Sequence, residues 1–149
     1  MMKRFYFRLI KVLEYRKNLE TRAQKHLAAA KSDYRQKTQL IRQMKEKRQA
    51  LAHERRKREK ERVDAFFHQA HYSFMRGLDH RMSDAQKDLD EISRRIRKRR
   101  ADLKAASKER ETLEILNAKQ HSEYTKAAEK QEQKESDELA LITKGYQRL

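Results

Sequence analysis

The sequence predicts an all-α fold in which two long helices pair as an antiparallel coiled-coil hairpin. Three observations predict it. The 149 residues include no proline and only two glycines, so nothing forces a break in a helix. The chain is dominated by alanine, leucine, glutamate, lysine, arginine and glutamine, the residues that favour helix most. Apolar residues also recur at alternating steps of three and four along two separate stretches. Charged residues reach 42% and apolar ones 36%, too polar a balance for a large core but enough for one narrow seam.

The first stripe reads Tyr6, Leu9, Leu13, Ala23, Leu27, Ala30, Tyr34, Ile41, Met44 and Leu51. Arg16, Glu20, Lys37 and Arg48 fill the positions between. The second runs without a gap through Met75, Leu78, Met82, Ala85, Leu89, Ile92 and Ile96. It continues through Leu103, Ala106, Leu113, Tyr124 and Ala127, interrupted by Arg99, Arg110, Asn117 and Gln120. Two stripes in one chain bury each other when the helices fold back.

The turn is expected at about residues 58–66, centred near 62. Gly77 and the capping-box pattern Ser83–Asp84–Ala85–Gln86 offer another site. The second stripe passes that site without a change of phase, so a turn there would cut an intact seam. Asp64 is placed to cap the second helix. Charge agrees, because a turn near 62 sets the acidic stretch 109–123 against the basic stretch 3–17. It also lays the basic run Arg94–Arg100 beside the helix around Leu27. The expected organisation is one domain over 1–149, with helix one at about 4–60 and helix two at about 65–146. At 1.5 Å per residue the helices are about 80 Å and about 120 Å long, so the end of helix two, beyond about Lys119, overhangs. Its Tyr124, Ala127, Leu139, Leu141 and Ile142 form a candidate docking surface.

Residues 1–63 hold 21 of the 39 basic residues and 7 of the 23 acidic ones, a net +14, which leaves +2 for the remainder. Such asymmetry attracts acidic partners. Nucleic acid is not the expected partner, because the cations are mixed with acids and no reader motif accompanies them. No segment approaches a membrane span of about 20 apolar residues. The start, Met1 to Arg16, is basic, but Arg8, Lys11 and Glu14 interrupt its apolar run and no signal cleavage site follows. The absence of cysteine excludes a disulfide framework and fits a reducing cytoplasm.

No catalytic centre, cofactor site or metal site is expected. Gly77 and Gly145 are too far apart for a phosphate-cradling loop. His68 and His71 share a spacing that suits two ligands, but no third stands near them in sequence. Two paired helices offer no water-excluded pocket in which carboxylates or serines could be tuned.

Three stretches together carry a family resemblance. The run from Phe5–Tyr6–Phe7–Arg8–Leu9 to Glu14–Tyr15–Arg16, with Glu20 beyond, resembles the start of the flagellar export protein family FliJ. The stretch Tyr72–Ser73–Phe74–Met75–Arg76–Gly77–Leu78 is similar to that family's aromatic opening of the second helix. Leu113–Glu114–Ile115–Leu116, Tyr124, Glu132–Gln133–Lys134 and Asp137–Glu138–Leu139–Ala140 are similar to its C-terminal signature.

The resemblance implies a non-catalytic stalk of the bacterial flagellar type III export apparatus, like the γ stalk of rotary ATP synthases. It implies a cytoplasmic protein, held at the inner membrane's cytoplasmic face through the apparatus. The implied partners are the hexameric export ATPase FliI, whose assembly it promotes, the cytoplasmic part of the export gate FlhA, and export chaperones that it escorts. By the resemblance, Phe5, Phe7, Leu9 and Leu13 with Leu139, Leu141 and Ile142 sit in the ATPase ring, and Phe74 and Leu78 meet the gate. Arg81 and Ala85 depart from the alanine and histidine of some members in the gate patch. The alternatives are the equivalent stalk of a virulence type III secretion system and a basic nucleic-acid-binding coiled coil.

Overall fold

The computed structural model describes residues 2–61 and 64–148. It contains two helices packed as a hairpin, α1 (Ile10–Glu59) and α2 (Ala65–Gln147). The expected turn centre, Arg62 and Val63, lies outside the described residues. Either side of it the local chemistry is visible. Glu61 N–H donates to the Arg58 carbonyl at 3.0 Å as α1 ends. Asp64 caps α2: its carboxylate accepts from Phe66 N–H at 3.3 Å and its carbonyl accepts from His68 N–H at 3.4 Å. Arg56, Lys57 and Arg58 stand in the last turn of α1, where cations oppose the negative end of the helix dipole. Gly77 and Ser83 lie inside unbroken helix, as the continuity of the second stripe requires.

Packing divides the chain into two units, Met1–Thr21 with Lys104–Leu149, and Arg22–Leu103. In the second unit the buried residues are Leu27, Ala30 and Ile41 of α1 and Leu78, Ala85 and Ile92 of α2, all seam positions. Met44, Leu51, Met75, Met82, Leu89 and Ile96 flank them, half-buried. Ion pairs cross between the helices at the seam's edges: Arg48 to Asp79 at 2.6 Å, Lys37 to Asp88 at 3.2 Å and Arg95 to Asp33 at 3.4 Å.

In the first unit the buried residues are Phe7 and Leu13. Here the structure corrects the sequence reading. Spacing predicts helix one from about residue 4, with Tyr6 on the seam. The helix begins only at Ile10, and Tyr6 is 70% exposed while Phe7 is 4% exposed. Before Ile10 the chain is non-helical, with a turn at Arg8 and Leu9, and burial alternates: Phe5, Phe7 and Leu9 are covered while Tyr6 and Arg8 are exposed. A seam read at helical spacing selects the wrong aromatic in such a segment. A smaller shift occurs downstream, where Ala128 rather than Ala127 is half-buried. An unsupercoiled helix drifts by about 20° per heptad, which favours a step of four after Tyr124.

These burials set an order of consequence. Leu78→Ala is expected to cost about 3 kcal/mol in urea unfolding, with its lost methyl groups leaving a cavity. Tyr6→Ser should stay within about 0.5 kcal/mol of the parent. Equal costs for the two would contradict the described packing.

Candidate interaction surfaces

An ordered clamp holds the start of the chain against α2. The Phe5 ring meets His121 edge-on at 4.9 Å and tilts against Tyr124 at 5.5 Å. The Tyr124 hydroxyl donates to the Lys3 carbonyl at 2.5 Å, fixing the non-helical backbone before α1. Ile10 N–H donates to the Phe7 carbonyl at 3.1 Å, which closes the turn into α1. Charge then takes over along both helices. Arg16 pairs with Glu109 at 2.5 Å and Lys17 with Glu114 at 3.8 Å, the pairing of basic start with acidic stretch that the turn position implied.

The densest point of this clamp is Arg110. Its guanidinium donates to Glu20 across the hairpin, to Glu114 at 2.6 Å one turn on, and lies 3.5 Å from Glu111. A planar fork with five donors suits several carboxylates at once, which an ammonium does not. The Glu20 hydrogen bond, foremost, raises the Arg110 pKa above the usual arginine value. Partial burial opposes that rise, and the charges of Glu114, Glu20 and Glu111 reinforce it.

Among the described residues the overhang begins beyond Ala128, rather than beyond Lys119, because Tyr124 is held by Phe5 and Lys3. Nothing covers the second helix there: every residue from Glu129 to Gln147 is exposed. Leu139 and Ile142 lie here, with Tyr146 four residues further on and 75% exposed. Spacings of three and four place these three on one helical face, a continuation of the seam that Tyr124 and Ala128 follow. Leu141, 70% exposed, falls about 130° from the centre of that face. The sequence reading groups Leu139, Leu141 and Ile142, and the exposed face also includes Tyr146. Phe5 and Phe7 are turned into the hairpin, half-buried and buried respectively.

Near the start of α2 the aromatic side chains divide in the same way. Phe74 is 40% exposed, with the Lys47 ammonium 5.2 Å from its ring centroid. Leu78, one turn on, is only 2% exposed and belongs to the core, as does Ala85. Phe66 and Tyr72 are largely exposed, whereas Phe67 lies under Arg58 at 4.7 Å and stacks on His71 at 5.9 Å. His71 thus packs on an aromatic ring, and its Nε2 is a buried atom without a hydrogen-bond partner. No cluster of three or more metal-ligating side chains occurs among the described residues.

No helix among the described residues is long and apolar enough to cross a membrane. The family model for the flagellar FliJ protein matches residues 5–147, nearly the whole chain. No curated protein and no solved structure matches it.

The Arg110 fork makes a comparative prediction. Arg110→Lys should lower the melting temperature more than Arg95→Lys, because Arg95 serves one carboxylate across the hairpin and Arg110 gathers three. Thermal unfolding followed by circular dichroism, at matched ionic strength, checks the order.

Proposed function

This chain belongs to the flagellar FliJ protein family, and we propose from that premise that it works as the non-catalytic stalk of the flagellar export ATPase. The family as a whole consists of flagellar export components, generally structural rather than catalytic. The finer assignment is that the free end of α2 engages the ring of the export ATPase and promotes its assembly and turnover. The observation that carries it is the uncovered face of Leu139, Ile142 and Tyr146 on a helix that runs past its partner. A lone apolar stripe in water is an incomplete seam, and a groove in another protein completes it.

The same reading gives the other residues separate tasks. Phe7 and Leu78, buried in the hairpin, hold the scaffold on which the contacts are displayed. Phe74 is the residue proposed to meet the export gate FlhA, since an exposed aromatic beside a lysine suits a pocket in a partner. Export chaperones complete the proposed set of partners, and the proposed location is the cytoplasmic face of the inner membrane, reached through the apparatus.

ATP turnover by the purified export ATPase tests the assignment. Adding the chain should raise turnover across a range of ATPase concentrations, while the chain alone hydrolyses nothing. Replacing Leu139, Ile142 and Tyr146 together by serine should remove most of the stimulation without shifting the unfolding midpoint, because these side chains are exposed and lie outside the buried core of the described residues. Leu141→Ser should have a smaller effect. Stimulation unchanged by the triple replacement would move the contact elsewhere on the chain. For the gate, Phe74→Ala should weaken binding to the FlhA cytoplasmic domain by about tenfold, the size of a truncated aromatic anchor.

A further inference from the structure

Within residues 22–103 the hairpin has two grooves between α1 and α2 that differ in charge. One is lined by Asp33, Lys37, Asp88, Glu91 and Arg95, and ion pairs bridge it. The other is lined by Lys31, Tyr34, Arg35, Ile96, Arg97 and Arg100, with Ser93 among them. It holds four cations and no carboxylate. The grooves face different ways: Asp33 and Arg35 stand two residues apart, about 200° around α1.

The wider setting is equally basic. Residues 22–35 and 94–103 together contain ten basic and two acidic residues. Both acids are already engaged, Asp33 with Arg95 and Asp102 with Arg99. Among the described residues none of Lys31, Arg35, Arg97 and Arg100 stands within ion-pair distance of a carboxylate, and all four are exposed. Arg42 and Lys45 extend the cationic side along α1, with Glu46 beside them. Across on α2, Asp90 is held by Gln86 at 3.2 Å. Four like charges set around one groove repel one another, and a single glutamate at Ser93 would have relieved them.

We propose that this groove is a docking face for the phosphate headgroups of an anionic lipid surface. Arginine forks and a lysine suit phosphate oxygens, and the exposed edge of Tyr34 adds a hydroxyl donor. A planar anionic surface draws on the cations of one side only. The hairpin supplies that arrangement by leaving one groove unneutralised and bridging the other. Attraction of this kind grows with each cation within a Debye length of the surface. The face lies apart from the free end of α2 in sequence and uses no residue assigned above to the ATPase or the gate. Failure of either idea therefore leaves the other standing.

Co-sedimentation of the full chain with phosphatidylglycerol vesicles and with phosphatidylcholine vesicles tests it. The chain should bind the first and not the second. A groove variant carrying Lys31→Gln, Arg35→Gln, Arg97→Gln and Arg100→Gln should partition about 100-fold more weakly. A control variant with Arg22→Gln, Lys25→Gln, Arg94→Gln and Lys98→Gln loses the same charge elsewhere in the band and should lose less than about fivefold. Glutamine keeps helix propensity, and circular dichroism verifies that both variants fold. Equal loss in both variants, no loss in either, or equal binding to phosphatidylcholine overturns the proposal. So does a groove-dependent loss seen with a single-stranded oligonucleotide but not with vesicles, which would make the ligand a nucleic acid.

Discussion

Burial of a narrow apolar seam between two helices of one chain is the constraint on which the other features rest. A chain with 42% charged residues has few apolar side chains to hide, and a packed helix pair hides them at the smallest cost in buried polar groups. Leu27, Ala30 and Ile41 against the stripe of Leu78, Ala85 and Ile92 do this in residues 22–103. Phe7 and Leu13 do it near the chain start. No polar or charged residue is buried among the described residues, so charges lie at the edges or reach outward from stripe positions as Arg110 does, where they select register more than they add stability.

Once the seam is spent on self-packing, interaction must come from what it leaves over. Two kinds of surface are left. One is apolar: the face of Leu139, Ile142 and Tyr146 past the last covered turn, and Phe74 beside Lys47. The other is electrostatic: the groove of Lys31, Arg35, Arg97 and Arg100. A scaffold of this kind needs no tuned active site, and a family of export components that are generally structural is consistent with that economy.

The clamp at the chain start shows how the two forces cooperate. Phe5 and Phe7 supply burial, but a helix would not turn both inward, and a backbone outside a helix needs a partner for its carbonyl groups. The Tyr124 hydroxyl provides one at Lys3. Arg110 then ties Glu20 to α2 where the stripe itself carries an arginine instead of a leucine. A charged residue at a seam position loses packing and gains a specified register, the use best attested for polar groups in coiled coils.

The sequence by itself determined the helical class, the hairpin, the continuity of α2 through Gly77 and the cap at Asp64, because helix propensity, periodicity and capping are local. It also carried the pairing of basic and acidic stretches, which follows from the turn position alone. Tertiary structure decided what local rules cannot reach. The non-helical segment before Ile10 is held because Phe5 finds His121 and Tyr124, more than a hundred residues away. Whether Phe74 or Leu78 faces water depends on where α1 lies, and the unneutralised groove appears only when Arg97 and Arg100 are brought beside Lys31 and Arg35. Spacing fixes which side chains share a face of one helix; only the packed pair fixes which faces are covered and which charges meet.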